Sequence, residues 1–266
     1  MKPTLGIGWD VRGWLGKQQA VAAVTWSGTE LRWLGKPHLF DITALHHSRG
    51  SLRDFIRLAW PDASDDVLQT HRVVVAIDAP LGFPAAFREL LVGETSFERP
   101  LGPEIENRFA YRDTDRHIYG TFRKKPLSAS FDKLGNVATV AIWHARRWSQ
   151  EPNVRIVPIQ AAQDTDHAII EVYPALAKPS RLSACHLPFG ALLPSDVPLG
   201  TDEYDAAICA VLALSFGMNG TEPSLPLLVH PHGVSADDLT TEGWIYYAEA
   251  EWFTAADQAA SRIQPS

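Results

Sequence analysis

The chain has 266 residues, 45% of them hydrophobic and 21% charged, with a formal net charge of −7. Eleven Phe, nine Trp and six Tyr supply enough apolar area for one large core without metal or disulfide staples, which excludes global disorder. The acid excess excludes a protein that coats nucleic acid electrostatically, but not an enzyme that grips a polyanion locally. No uninterrupted apolar run approaches the roughly 18 residues of a membrane-spanning helix, and Met1–Asp10 is expected not to be a secretory signal. Cys185 and Cys209 lack C-x-x-C spacing, which suits a cytoplasmic setting better than a disulfide framework or a zinc site.

Taken in chain order, Leu5–Trp9 is a short apolar run stopped by Asp10 and predicts a buried first strand. Ala20–Trp26, the Ser27-Gly28 turn and Glu30–Gly35 continue it as an antiparallel meander of three strands. Leu52, Phe55, Ile56 and Ala59 recur at helical spacing, with Ser51 as N-cap and Pro61 as the stop. Val73–Ile77 is a β-branched run, again closed by an aspartate, Asp78. From about 85 to 165 strand signals thin out, and Val137, Val140, Ala141, His144 and Trp148 share a helical face; this stretch reads as a mainly helical insertion. Ala168–Tyr173 gives a further strand closed by Pro174, and the Pro188–Pro198 stretch a surface loop. Tyr204–Phe216 carries an apolar stripe of Ile208, Cys209, Leu212 and Phe216, with Gly217 as the expected stop. Gly243–Tyr247 is β-like, and Ala248–Ala260 reads as a terminal helix. The order predicts one α/β domain over 1–266.

Four acids sit at the ends of these elements. Asp10 and Asp78 close the first and fourth strands, Glu171 lies inside or at the end of the fifth, and Asp205 lies in the first turn of the clearest helix. If those three strands are neighbours, their acids gather at one edge. Carboxylates so close raise one another's pKa unless a cation is present. Mg²⁺ or Mn²⁺, which prefer oxygen ligands, resolve the repulsion and would make Asp10, Asp78, Glu171 and Asp205 both metal ligands and catalytic residues. Each acid alone also has a plain structural role: Asp favours turns, acids answer a helix dipole, and a glutamate pairs with an arginine.

Gly8–Trp14, Asp78–Pro84, Arg112–Arg116, Glu171–Pro174, Tyr204–Ala207 and Glu242–Ile245, in that order, resemble the family called domain of unknown function 429 (DUF429). The resemblance implies a ribonuclease H-like mixed sheet, the first three strands antiparallel and the later ones parallel, with helices on both faces. It also implies a nuclease-like activity. Carried over position by position, Asp10 matches the first-strand metal aspartate, Asp78 the acid of an Asp-x-Pro-x-Gly segment, Glu171 a Glu-x-x-Pro glutamate, and Asp205 the acid opening the last large helix. The run between Asp10 and Gly13-Trp14 is shorter than the family's usual one.

Residues 108–125 hold Arg108, Arg112, Arg116, Arg123, Lys124 and Lys125 against Asp113 and Asp115, interleaved with Tyr111, Tyr119 and Phe122. Such a strip can bind phosphates and stack a base, which makes Arg112, Arg116, Arg123, Lys124 and Lys125 candidate substrate contacts; it can equally be a solvated helix face. Asp115 pairing with Arg112 or Arg116 is the structural option there. His117 is expected at the surface, and His230-Pro-His232 is not expected to bind zinc. Gly-x-Ser-x-Gly, Walker A and Gly-x-Gly-x-x-Gly motifs are absent. The leading expectation is a divalent-metal-dependent nuclease or phosphodiesterase with a nucleic acid or related phosphodiester as substrate. A Mg-ATP-dependent phosphotransferase of the actin-like or sugar-kinase type and an inactive regulatory protein of the same fold remain open; the chain has neither a duplicated core nor glycine-rich phosphate loops.

Overall fold

A computed structural model describes residues 2–47, 50–93, 102–132, 134–161, 165–177 and 188–249. The chain runs through β1 (Thr4–Asp10), β2 (Gln18–Trp26), β3 (Leu31–Trp33), β4 (His38–Asp41), α1 (Thr43–His47), α2 (Leu52–Ala59), α3 (Val67–Thr70), β5 (Arg72–Asp78), α4 (Ala85–Val92), α5 (Asp113–Phe122), α6 (Leu134–Trp148), β6 (Val154–Ile156), β7 (His167–Val172), α7 (Asp202–Met218), α8 (Ala236–Glu242) and β8 (Ile245–Tyr246). One mixed sheet has the order β3-β2-β1-β5-β7-β6, with β4 on β2 and β8 on β7. β2 pairs antiparallel with β1, β3 and β4. The pairs β1–β5, β5–β7, β6–β7 and β7–β8 are parallel. This is the arrangement expected of a ribonuclease H-like sheet. The parallel strands β1, β5 and β7 are adjacent, so their C-terminal ends share one edge.

The two faces are filled differently. On one, Trp9, Phe55 and Trp148 form an aromatic knot with ring centroids 4.7–5.6 Å apart, joining β1 to α2 and α6. Ser51 caps α2 through a reciprocal pair with Asp54, as the sequence predicts. The other face belongs to α7, buried on every side from Ala206 to Ser215. A helix buried all round shows no single apolar stripe. It lies directly on β1: a Cβ on Gly8 would fall 1.9 Å from the Ala206 carbonyl oxygen and 2.3 Å from the Ala210 nitrogen. The glycine of Gly8-Trp9-Asp10 is therefore where the helix backbone touches the strand, and it fixes the start of α7 beside Asp10.

Several expectations need correction. Gly217 does not stop α7; the helix continues to Met218 and closes on Asn219 in the left-handed conformation, φ 47°, which asparagine tolerates. The proline-rich stretch is not simply surface, since Phe189, Leu193 and Val197 are buried. The edge strands β4 and β6 are too short to show a period-2 pattern and were not expected. The predicted terminal helix falls, from residue 250 onward, outside the described residues. The stretch 85–165 contains α4, α5 and α6 and ends in β6. No helix among the described residues is long and apolar enough to cross a membrane.

Candidate active site

Because β1 and β5 run parallel in register, Asp10 and Asp78 are direct Cα partners at the ends of their strands. Neighbours in a pleated row leave the sheet on the same side, so both carboxylates project from the edge toward the face covered by α7. The first turn of that helix carries Asp202, Glu203 and Asp205. Burial pushes the Asp10 carboxyl up to about 8, with Asp78, Asp202 and Asp205 adding to the shift and Arg12 opposing it. Arg12 is itself tied to Asp202, with Nε 2.8 Å from Oδ2. Asp10 thus sits where four acids converge electrostatically.

Glu171 belongs to the preceding row. It pairs with Ile77, which pairs with Trp9, so its side chain leaves the opposite face of the sheet. There it meets Arg112, whose Nη1 and Nη2 donate to the two carboxylate oxygens at 2.7 and 2.6 Å. Arg112 also donates to both Asp115 oxygens, from Nε at 3.0 Å and Nη2 at 2.9 Å, and to the Glu242 carbonyl from Nη1 at 3.1 Å. All five of its N–H groups are used. Arg112 and Asp115 are each 1% exposed and Glu171 3%. Burial works against the Arg112 charge, but Asp115 and Glu171 together outweigh it; burial pushes Glu171 up, and the guanidinium pulls the other way.

The Asp78–Pro84 segment wraps this cluster. The Leu81 amide donates to Glu171 Oε2 at 2.9 Å. Gly82 presses on the last turn of α8, where a Cβ would lie 2.5 Å from the Glu242 carbonyl oxygen. Glu242, 5% exposed, then accepts from the Ala85 amide through Oε1 and the Asp113 amide through Oε2, both at 2.7 Å. These are the first residues of α4 and α5, so one carboxylate caps two helices. Thr114 accepts from the Ile245 amide at 2.9 Å, locking α5 to β8.

Asp10, Asp78, Arg112, Asp115, Glu171 and Tyr173 line a cleft of about 210 Å³, with Leu127, Leu134 and Val137 on its apolar side. Burial, then Asp78 and Asp115, push the Tyr173 phenol up to about 12, so it holds its proton at neutral pH. Of the basic strip, Arg112 is interior, and Arg116 is half-buried, paired with Asp113 and donating to the Tyr111 carbonyl at 2.6 Å. Lys124 donates to the Ala175 carbonyl and lies 5.8 Å from the Tyr173 ring centre. Lys125 pairs with Glu104 at 2.6 Å, and Arg123 is exposed at the end of α5. Contrary to the surface position expected, His117 is half-buried, 2.7 Å from the Tyr247 hydroxyl and packed on His232.

The structure therefore brings Asp10 and Asp78 side by side, with Asp205 and Asp202 near them, and holds Glu171 in an ion pair. Among the described residues, no three His, Cys, Asp or Glu side chains stand close enough together to hold an ion by themselves. A pair of carboxylates still fits Mg²⁺ or Mn²⁺, because Mg²⁺ commonly takes one or two carboxylates and completes its shell with water and substrate oxygens. Glu242, Tyr173 and Asp202 were not expected as site residues; the Glu171–Pro174 and Glu242–Ile245 motifs were the available signals for Tyr173 and Glu242.

No curated protein and no solved structure matches the chain. Residues 8–180 match the family described as protein of unknown function DUF429, a span that holds Asp10, Asp78, Arg112, Asp115, Glu171 and Tyr173. By that match the chain belongs to the DUF429 family.

Proposed function

We propose that this protein is a divalent-metal-dependent phosphodiesterase of the nuclease type, working in the cytoplasm. The observation that carries the proposal is the register pairing of Asp10 with Asp78 in the lining of a cleft, where the Asp10 carboxyl is pushed up to about 8. A carboxyl group pushed up by burial and by a neighbouring acid in a cleft is a functional-site candidate. Asp10 and Asp78 would hold Mg²⁺ or Mn²⁺, and the Asp205 and Asp202 charges deepen the negative potential that attracts it. Such an ion supplies an activated water and stabilises the leaving oxygen of a phosphodiester.

The remaining side chains have defined tasks. The neutral Tyr173 phenol offers a hydrogen bond to a phosphate oxygen in the cleft. Glu171, Arg112, Asp115 and Glu242 hold the cleft wall rigid, so the two aspartates keep their spacing when substrate enters. Arg123, exposed at the end of α5, and Lys124, beside the Tyr173 ring, add positive charge for a phosphate chain, whereas Arg116 and Lys125 are already paired with Asp113 and Glu104.

Purified protein incubated with Mn²⁺ and a panel of labelled single- and double-stranded DNA and RNA should cleave at least one member. Asp10→Asn and Asp78→Asn should abolish that cleavage while leaving the fold intact by circular dichroism. A pure, folded wild-type protein that cleaves nothing in the panel with either metal overturns the proposal.

A further inference from the structure

Among the described residues, two tryptophans are exposed while Trp9, Trp148 and Trp244 are fully buried. Trp14 is 42% exposed and Trp143 44%, and they pack edge to face with ring centres 6.1 Å apart. Trp14 is pinned rather than loose: its amide donates to Asn136 Oδ1 and its indole N–H to Thr139 Oγ1, both at 3.0 Å. Exposed indoles held in one orientation by polar contacts offer a preorganised stacking surface.

The helix that carries Trp143 explains its placement. Along α6, Val140, Ala141, His144, Ala145 and Trp148 face the core. Thr139, Ile142, Trp143, Arg146 and Arg147 occupy the opposite stripe and, with Phe83 and with Gln150 just past the helix, line an open groove of about 680 Å³. The Arg147 guanidinium carbon lies 5.4 Å from the centre of the Trp143 ring. Among the described residues that line the groove, the charged side chains are Arg146 and Arg147, on a chain of net charge −7.

Two elements connect this groove to the carboxylate cleft. Leu134 and Val137, at the start of α6, line the cleft, and the same helix lines the groove further along. Ala79 and Pro80 lie in the cleft and Phe83 in the groove. From Leu134 to Arg146 the helix rises about 18 Å, roughly the length of five stacked nucleotides.

We propose that the outer face of α6 is a track for single-stranded nucleic acid, on which Trp143 stacks a base and Arg146 and Arg147 neutralise neighbouring phosphates. The proposal deepens the phosphodiesterase reading and rests on it for what occupies the cleft; binding along the track itself needs no metal. An aromatic ring between guanidinium groups suits a strand with a flat base beside every phosphate. An acidic peptide would satisfy the charges but leave the ring without a stacking partner.

The test is fluorescence anisotropy of a labelled 20-residue oligothymidylate in EDTA, so that cleavage plays no part. Trp143→Ala should weaken binding about five- to hundred-fold, and Trp143→Phe should retain most of it. Arg146→Gln with Arg147→Gln should weaken binding and flatten the slope of log affinity against log salt by about 1.4. Absence of wild-type binding, unchanged binding in both variants, or equally tight binding of a labelled oligoglutamate overturns the track. Intact binding without Mn²⁺-dependent cleavage leaves the track standing and counts against the phosphodiesterase. Cleavage with an unaltered KM in Trp143→Ala/Arg146→Gln/Arg147→Gln does the reverse.

Discussion

Asp10 and Asp78 stand opposite each other in the last row of the β1–β5 pair, with the first turn of α7 supplying Asp202 and Asp205 nearby. The folded protein holds a proton on Asp10 up to about pH 8, whereas an unfolded aspartate releases it near pH 4. Without metal, the native state therefore binds more protons than the unfolded chain between those values. Stability should fall as pH rises through that window and level off above it. Asp10→Asn removes this penalty: at pH 8 in EDTA it should be more stable than wild type, on the order of 2 kcal/mol after solvent screening, and the gap should close toward pH 4. Urea unfolding of both proteins at several pH values measures it; a gap that does not depend on pH contradicts the Asp10 environment.

Arg112 and Glu171 form the buried counterpart of that open pair. Removing one member of a buried ion pair strands the other, at a cost of about 3–5 kcal/mol. Glu171→Ala and Arg112→Ala should each lower Tm by about 10 °C. The double variant should cost less than the sum of the two. Additive losses in a double-mutant cycle would show that the pair does not act as a unit.

Glu242 accepts the first amides of α4 and α5 at once. Loss of a side-chain cap costs about 0.5–2 kcal/mol per helix, so Glu242→Ala should cost about 1–4 kcal/mol. Hydrogen exchange should speed up at the Ala85 and Asp113 amides together. Acceleration at only one of them would contradict the shared cap.

Gly8 is where α7 rests on β1. Gly8→Ala has no room for its methyl group and should displace the helix or unfold the protein, a loss of at least about 3 kcal/mol. A variant that stays folded should bind Mn²⁺ more weakly, because the start of α7 shifts away from Asp10. Wild-type stability together with wild-type Mn²⁺ affinity would contradict the close contact.

The chain announced Asp10 and Asp78 clearly, because each ends a short buried strand and local patterning reveals strand ends. The meander, α2 with its Ser51 cap and the strands β5 and β7 were legible for the same reason, whereas the parallel direction of β5 and β7 was implied only by the family resemblance. The partners across the fold were not. Arg112 looks like one base in a basic strip until the fold carries it to Glu171, 59 residues away. Glu242 stood out only as the first residue of the Glu242–Ile245 segment, and its role stayed hidden because its work is to satisfy the amides of two helices that begin far from it in sequence. Gly217 misled because a glycine near a helix end commonly marks a stop, whereas here it lies inside the last turn and Asn219 takes the left-handed cap. The nearly uniform burial of α7 likewise hid which of its faces meets the sheet.

The most direct test of the metal-binding carboxylate pair is calorimetric titration of Mn²⁺ into the metal-free protein at pH 7, repeated in buffers of different ionisation enthalpy. Asp10 must lose its proton to become a ligand, so the account predicts saturable binding that releases close to one proton per ion, tightens toward pH 8 and disappears in Asp10→Asn and Asp78→Asn. Saturable binding that survives both substitutions, or no binding by the folded wild-type protein, would contradict it.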